Sequence, residues 1–155
     1  MRPRLSFLVF LLCAVSFLSS PNGSCQTPDG SGKSKEEYFR IGSELERSRM
    51  FDEAISQFDR AIALDPKYVE AYVHKGLTLM EAGRYREAIE CFRAVLGIDP
   101  TYTDAYVDIG RTYMKQGDVN KAEDVCDELA KTDEKKAEEL RQEIQKGPVN
   151  IIKWP

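Results

Sequence analysis

The chain has 155 residues, enough for one domain with a modest core. Charged residues make up 31% and hydrophobic residues 42%, a balance that suits a globular domain once the first segment is set aside. The formal charge of −4 argues against nonspecific binding to nucleic acid or to an anionic membrane.

The chain opens with "MRPRLSFLVFLLCAVSFLSS". Arg2 and Arg4 form a basic start, and Leu5 to Leu18 is an apolar run of about fourteen residues. A bilayer-spanning helix needs about 20, so residues 1–24 read as an export signal and not as an anchor. Its removal takes two arginines and no acids, leaving 20 basic against 26 acidic residues. Cys25 follows the small Gly23 and Ser24 and is a candidate lipidation site, although Asn22 is a poor residue for that pattern. The expected location is therefore periplasmic or secreted, with membrane attachment only through a lipid on Cys25. Residues 25–34 are rich in Ser, Gly and Pro and read as a flexible linker. "GSGKS" at 30–34 ends like a phosphate-binding loop, but Thr27 stands where that loop needs its first Gly, and no strand precedes it.

From Lys35 the apolar residues take a helical period. The text also repeats every 34 residues: Tyr38, Tyr72 and Tyr106 align, as do Gly42, Gly76 and Gly110, and Ala54, Ala88 and Ala122. Phe58 and Phe92 align with Cys126. Pro66 and Pro100 align with Glu134, and Asp65 and Asp99 with Asp133. Each unit reads as two helices. In the middle unit the first helix runs over about Val69–Ala82 and stops at Gly83, which tolerates a left-handed C-terminal position. The second, about Tyr85–Gly97, stops before Pro100. Ala88 and Gly76 are small where two helices should cross, and Tyr72, Leu79, Tyr85 and Phe92 fill the space between them. "EKKAEELRQEIQKG" supplies one more helix, charged on most faces, which suits a cap. "PVNIIKWP", residues 148–155, completes a tail that begins at Gly147, and its apolar Val149, Ile151, Ile152 and Trp154 are expected to dock on the last helices or on a partner.

These columns resemble the tetratricopeptide repeat family. The middle unit carries Tyr72, Gly76, Leu79, Gly83, Tyr85, Ala88, Phe92 and Pro100; the first carries Tyr38, Ile41, Gly42, Leu45, Phe51, Ala54, Phe58, Ala61 and Pro66. The third carries Tyr106, Ile109, Gly110, Tyr113, Gly117 and Ala122. Lys75 departs from the pattern where it prefers Leu, and Arg49 where it prefers Gly. The resemblance implies an all-α fold, an α-solenoid of three helix-turn-helix repeats over about 35–68, 69–102 and 103–134. A capping helix at 134–146 completes the domain of 35–146.

The resemblance also implies a concave groove, lined by the first helix of each pair, that binds a peptide or protein. Its columns fall on Phe39, Val73 and Val107; on Arg40, His74 and Asp108; on Ser43, Leu77 and Arg111; and on Glu46, Met80 and Met114. In some members a clamp of Lys, Asn and Arg holds a chaperone's C-terminal carboxylate. Here that clamp would fall on Phe39, Ser43, His74, Asp104 and Asp108, none of which is Lys, Arg or Asn.

Chemistry is otherwise sparse. His74 is the sole histidine and has no catalytic partner in the pattern. Cys91 and Cys126, 35 residues apart, fit neither zinc nor redox spacing and read as buried apolar side chains, with a disulfide as the alternative. No catalytic, cofactor-binding or metal-binding residue is expected. The functional expectation is a non-enzymatic scaffold outside the cytoplasm, binding a protein or peptide. The alternative is a structural or accessory subunit of an envelope or secretion assembly, self-associating through the apolar tail.

Overall fold

The computed structural model describes residues 32–147, so the export signal, Cys25 and the tail residues 148–155 lie outside the described residues. Seven helices follow one another: α1 (Lys35–Arg47), α2 (Phe51–Leu64), α3 (Val69–Glu81), α4 (Tyr85–Ile98), α5 (Asp104–Gln116), α6 (Val119–Ala130) and α7 (Glu134–Lys146). There is no strand among the described residues.

Local chemistry sets the ends. Ser34 caps α1 by accepting from the Glu37 amide, and Asp118 caps α6 through Lys121. Asp65 and Asp99 instead turn the chain, accepting from the amides of Lys67 and Thr101 at 3.0 and 2.9 Å. Pro66 and Pro100 keep the next helix from starting at once. In the third unit Glu134 replaces the proline, so Asp133 becomes the N-cap of α7, accepting from the Lys136 amide at 3.0 Å. Gly83 and Gly117 end α3 and α5 with φ of 78° and 85°. Arg49 holds the same place after α1 with φ 59°, the only non-glycine with positive φ among the described residues. An L-residue there costs roughly 1–2 kcal/mol, and the guanidinium gains contact with the Phe51 ring at 5.7 Å.

Helices of one pair cross closely because a glycine faces a bulky side chain. A Cβ on Gly42 would lie 2.7 Å from Phe58, and one on Gly76 would lie 2.6 Å from Phe92. Ala54, Ala88 and Ala122 are fully buried at the same crossings. The third pair departs from this pattern. Cys126 is buried but too short to reach Gly110, and Leu140 of α7 occupies the place, 2.7 Å from a Cβ built there. The cap therefore supplies the filler that the third repeat lacks. Ala137, Leu140 and Ile144 join Ala122, Cys126 and Leu129 in one buried cluster, while the rest of α7 stays charged. Cys91 and Cys126 are both free and buried, so the disulfide does not form.

The curvature follows from which helices meet. Successive helices pack on one another, and α1, α3, α5 and α7 also touch in sequence. The backbones of the even-numbered helices stand apart. The odd helices thus line the inner side of the curve and the even ones splay along the outer side.

Gly76→Ala should destabilise the domain by roughly 1–3 kcal/mol, because overpacking against Phe92 outweighs the gain of about 1 kcal/mol in helix propensity. Chemical denaturation followed by circular dichroism measures this; an unchanged midpoint would show that the crossing is loose.

Candidate partner-binding face

The inner face is held by side chains that bridge one odd helix to the next. Glu46 of α1 accepts from Thr78 Oγ1 of α3 at 2.9 Å, and its other oxygen lies 3.0 Å from His74 Nδ1. Thr112 Oγ1 of α5 reaches Met80 Sδ of α3 at 3.3 Å and its own helix's Asp108 carbonyl at 2.6 Å. Arg111 of α5 donates from Nε and Nη2 to Glu143 of α7 at 3.0–3.2 Å. Lys136 of α7 donates to Asp104 at 2.6 Å. Burial works against the charge of Glu46, but the hydrogen bonds with His74 and Thr78 outweigh it and hold the carboxyl below its ordinary range.

The structure places the groove candidates unequally. Phe39 is half-buried in an aromatic group, with ring centroids 5.8 Å from Phe58, 5.5 Å from Tyr68 and 5.0 Å from His74. Val73, Leu77 and Met80 pack partly against the central cluster, and Val107 and Met114 against the last one. None of these six is among the exposed large hydrophobics of the described residues, Met50 and Val119. The face is therefore a shallow apolar floor and not a deep slot. Arg40 is exposed and paired with Glu44 on its own helix at 2.6 Å. His74 and Arg111 serve in the bridges already described, and Ser43 donates to the Phe39 carbonyl at 3.0 Å.

Asp108 differs from its neighbours. It sits half-buried on the inner side of α5, and no side chain among the described residues donates to its carboxylate. Desolvation raises its pKa to about 6; Arg111 pulls it down and Asp104 pushes it up. A half-desolvated acid without a donor is a ready acceptor for a cation or an N–H brought by a partner. The fully buried Thr78 and Thr112 were missed by sequence reasoning, although their shared column 34 residues apart was the available signal.

Among the described residues no group of His, Cys, Asp and Glu is arranged to hold a metal ion, and no helix is long and apolar enough to cross a membrane.

Two tetratricopeptide repeat models match the chain, over residues 39–103 and 79–143. The chain belongs to the tetratricopeptide repeat family. Two crystal structures of MamA are similar to this repeat protein. One is 32% identical, with TM-score 0.61, over 68% of this chain and 61% of its own. The other is 28% identical, with TM-score 0.64, over 82% and 64%. YrrB, described as a TPR protein with an unusual peptide-binding site, is 24% identical with TM-score 0.65, over 76% of this chain and 60% of its own. At that identity the likeness is one of fold. The repeat protein thus spans about three fifths of the length of these structures. No curated protein matches the sequence.

Asp108→Asn isolates the cost of the buried charge. The folded pKa lies above the ordinary 3.8, so between about pH 4 and 6 the folded state binds more protons than the unfolded one. Asp108 then favours folding as pH falls through that window and opposes it above. The variant should melt higher than the natural protein at pH 8, and the difference should shrink towards zero at pH 4. An equal difference at both values would show that Asp108 is not desolvated.

Proposed function

We propose that this repeat protein is a non-enzymatic scaffold that works outside the cytoplasm and holds a peptide or protein segment on its inner face. The observation that carries the reading is the line of odd helices, which presents Phe39, Val73, Leu77, Met80, Val107 and Met114 as half-buried side chains beside the undonated carboxylate of Asp108. Partly buried apolar side chains give a partner contact area, and methionines adapt to varied shapes. Asp108 and the exposed Glu36, Glu70 and Asp104 favour a partner with Lys or Arg among its apolar anchors. An acidic chaperone tail is disfavoured. The clamp positions Phe39, Ser43, His74, Asp104 and Asp108 hold no Lys or Arg, and Arg111 in the Ser43 column is already bound by Glu143. The site outside the cytoplasm rests on the basic start and the short apolar run before Ser19. It requires a mature N-terminus between about Ser19 and Gln26, which N-terminal sequencing of the native protein reads directly.

A peptide array of random extended decamers tests the groove. The natural protein should enrich peptides that combine aliphatic or aromatic residues with Lys or Arg, and Val73→Glu with Val107→Glu should abolish that enrichment while the helical spectrum stays intact. Raising salt should slow association more than it speeds release, since rim charges act mainly on encounter. Enrichment of acidic C-terminal peptides, or an unaffected double variant, would move the site off this face.

A further inference from the structure

The outer side carries two clefts at equivalent places in the repeat, and each is a control for the other. The first lies between α3 and α4, with Tyr72 and Leu79 of α3 facing Glu87, Cys91 and Ala94 of α4. Lys75 of α3 reaches across to Asp59 of α2 at 2.6 Å, and the cleft is small, about 200 Å³. The second lies between α4 and α6, over α5. Thirty-four residues on, Ile109 replaces Lys75 and Arg93 replaces Asp59, so that closing ion pair has no counterpart. This cleft measures about 500 Å³, with Leu96, Tyr106, Ile109, Tyr113 and Val125 among its walls. Its cations are engaged locally: Arg93 donates to the Tyr113 hydroxyl at 3.4 Å and Lys121 to Asp118 at 2.5 Å. The acids of its edge are Asp124 and Glu128.

The chain itself carries an occupant of fitting chemistry. The eight residues after Gly147 include Val149, Ile151, Ile152 and Trp154, the only tryptophan, with Lys153 between the last two. Their starting point is close to the cleft. α7 runs antiparallel to α6, because Arg141 bonds Asp127 at 2.7 Å while Ile144 shares a buried cluster with Ala122. Gly147 therefore ends beside the first turn of α6. The cleft residues Lys121, Val125 and Glu128 each stand one position before Ala122, Cys126 and Leu129, which share the buried cluster with Ala137, Leu140 and Ile144 of α7. One position is about 100° round a helix, a path of roughly 10 Å on a helix ~10–12 Å across. Eight extended residues span up to ~26 Å. Val119, 43% exposed, lies at the same end of α6, along that path.

We propose that residues 148–155 fold back in cis round the N-terminal end of α6 and insert Trp154 into the cleft between α4 and α6, with Lys153 at the edge formed by Asp124 and Glu128. The outer cleft is then filled by the chain's own tail, which leaves the inner face for the partner.

Trp154 is its own probe, so the full chain serves for the test. Its emission maximum should lie to the blue of free tryptophan, with acrylamide quenching reduced several-fold and nuclear Overhauser contacts from the indole to Tyr113 and Ile109. Arg93→Asp with Ile109→Lys transplants the pair that spans the first cleft, and should return emission and quenching to the free values with helicity unchanged. Asp124→Lys with Glu128→Lys alters only exposed rim positions, so it stays informative if the first variant fails to fold; it should raise quenching by repelling Lys153. Free-tryptophan emission in the natural chain would overturn the proposal, as would protection indifferent to the rim variant. Protection lost on dilution would also overturn it, since a second copy would then be the occupant.

Discussion

The structure depends on one steric arrangement, a bulky side chain lying directly on a helical glycine. Phe58 over Gly42 and Phe92 over Gly76 bring the two helices of a pair close enough to leave no room for a methyl group. Glycine within a helix costs about 1 kcal/mol against alanine, and the close crossing offsets that by burying the ring completely. Each pair then presents the same outline to the next, and stacking follows. The third pair shows the constraint by breaking it. Cys126 leaves the place over Gly110 open, and the capping helix closes it with Leu140. The cap is thus a member of the third repeat's core as well as its lid against water.

Stacking of identical outlines separates two surfaces with different chemistry. Odd helices converge and are tied by Glu46, Met80 and Arg111 to groups on the next odd helix. The backbones of the even helices stand apart, and between α4 and α6 this leaves a cleft that no ion pair like Lys75–Asp59 spans. The inner face is preorganised, because its bridges fix the helices that carry Val73, Leu77 and Val107. A partner laid along it meets positions that are already ordered, which reduces the entropy lost on binding.

Much of this was legible in the sequence because a repeat is written in the same columns as its packing. The 34-residue register gave the six helices of the three pairs and the crossing residues, and the spacing of Cys91 and Cys126 pointed to buried thiols. The capping helix was legible from its charge pattern, and α7 spans Glu134–Lys146. Leu140 as a filler was not, since the consequence of Cys126 for phenylalanine depends on a neighbour outside the repeat. Nor were the polar bridges: Glu46 sits in a groove column, and only the meeting of α1 with α3 brings it to His74 and Thr78. The groove residues were placed on the inner helices, but their half-burial reflects contact between adjacent pairs, which no single column records. In the sequence Asp108 is one groove position among several; its lack of a donor becomes visible when Arg111 is seen to turn to Glu143.

A double-mutant cycle on the third pair tests the constraint most directly. Leu140→Ala should lower stability by about 2–5 kcal/mol, as expected for a large-to-small change in a packed core. Cys126→Phe should restore much of that loss in the Leu140→Ala background, since it returns the ring that the first two pairs place over their glycines. In the natural background it should destabilise, because Leu140 already holds the space. Denaturant unfolding of the four proteins reads the coupling: a large favourable interaction between the two changes is the expected result. Strictly additive effects would contradict the account, showing that position 126 and Leu140 do not share the place over Gly110.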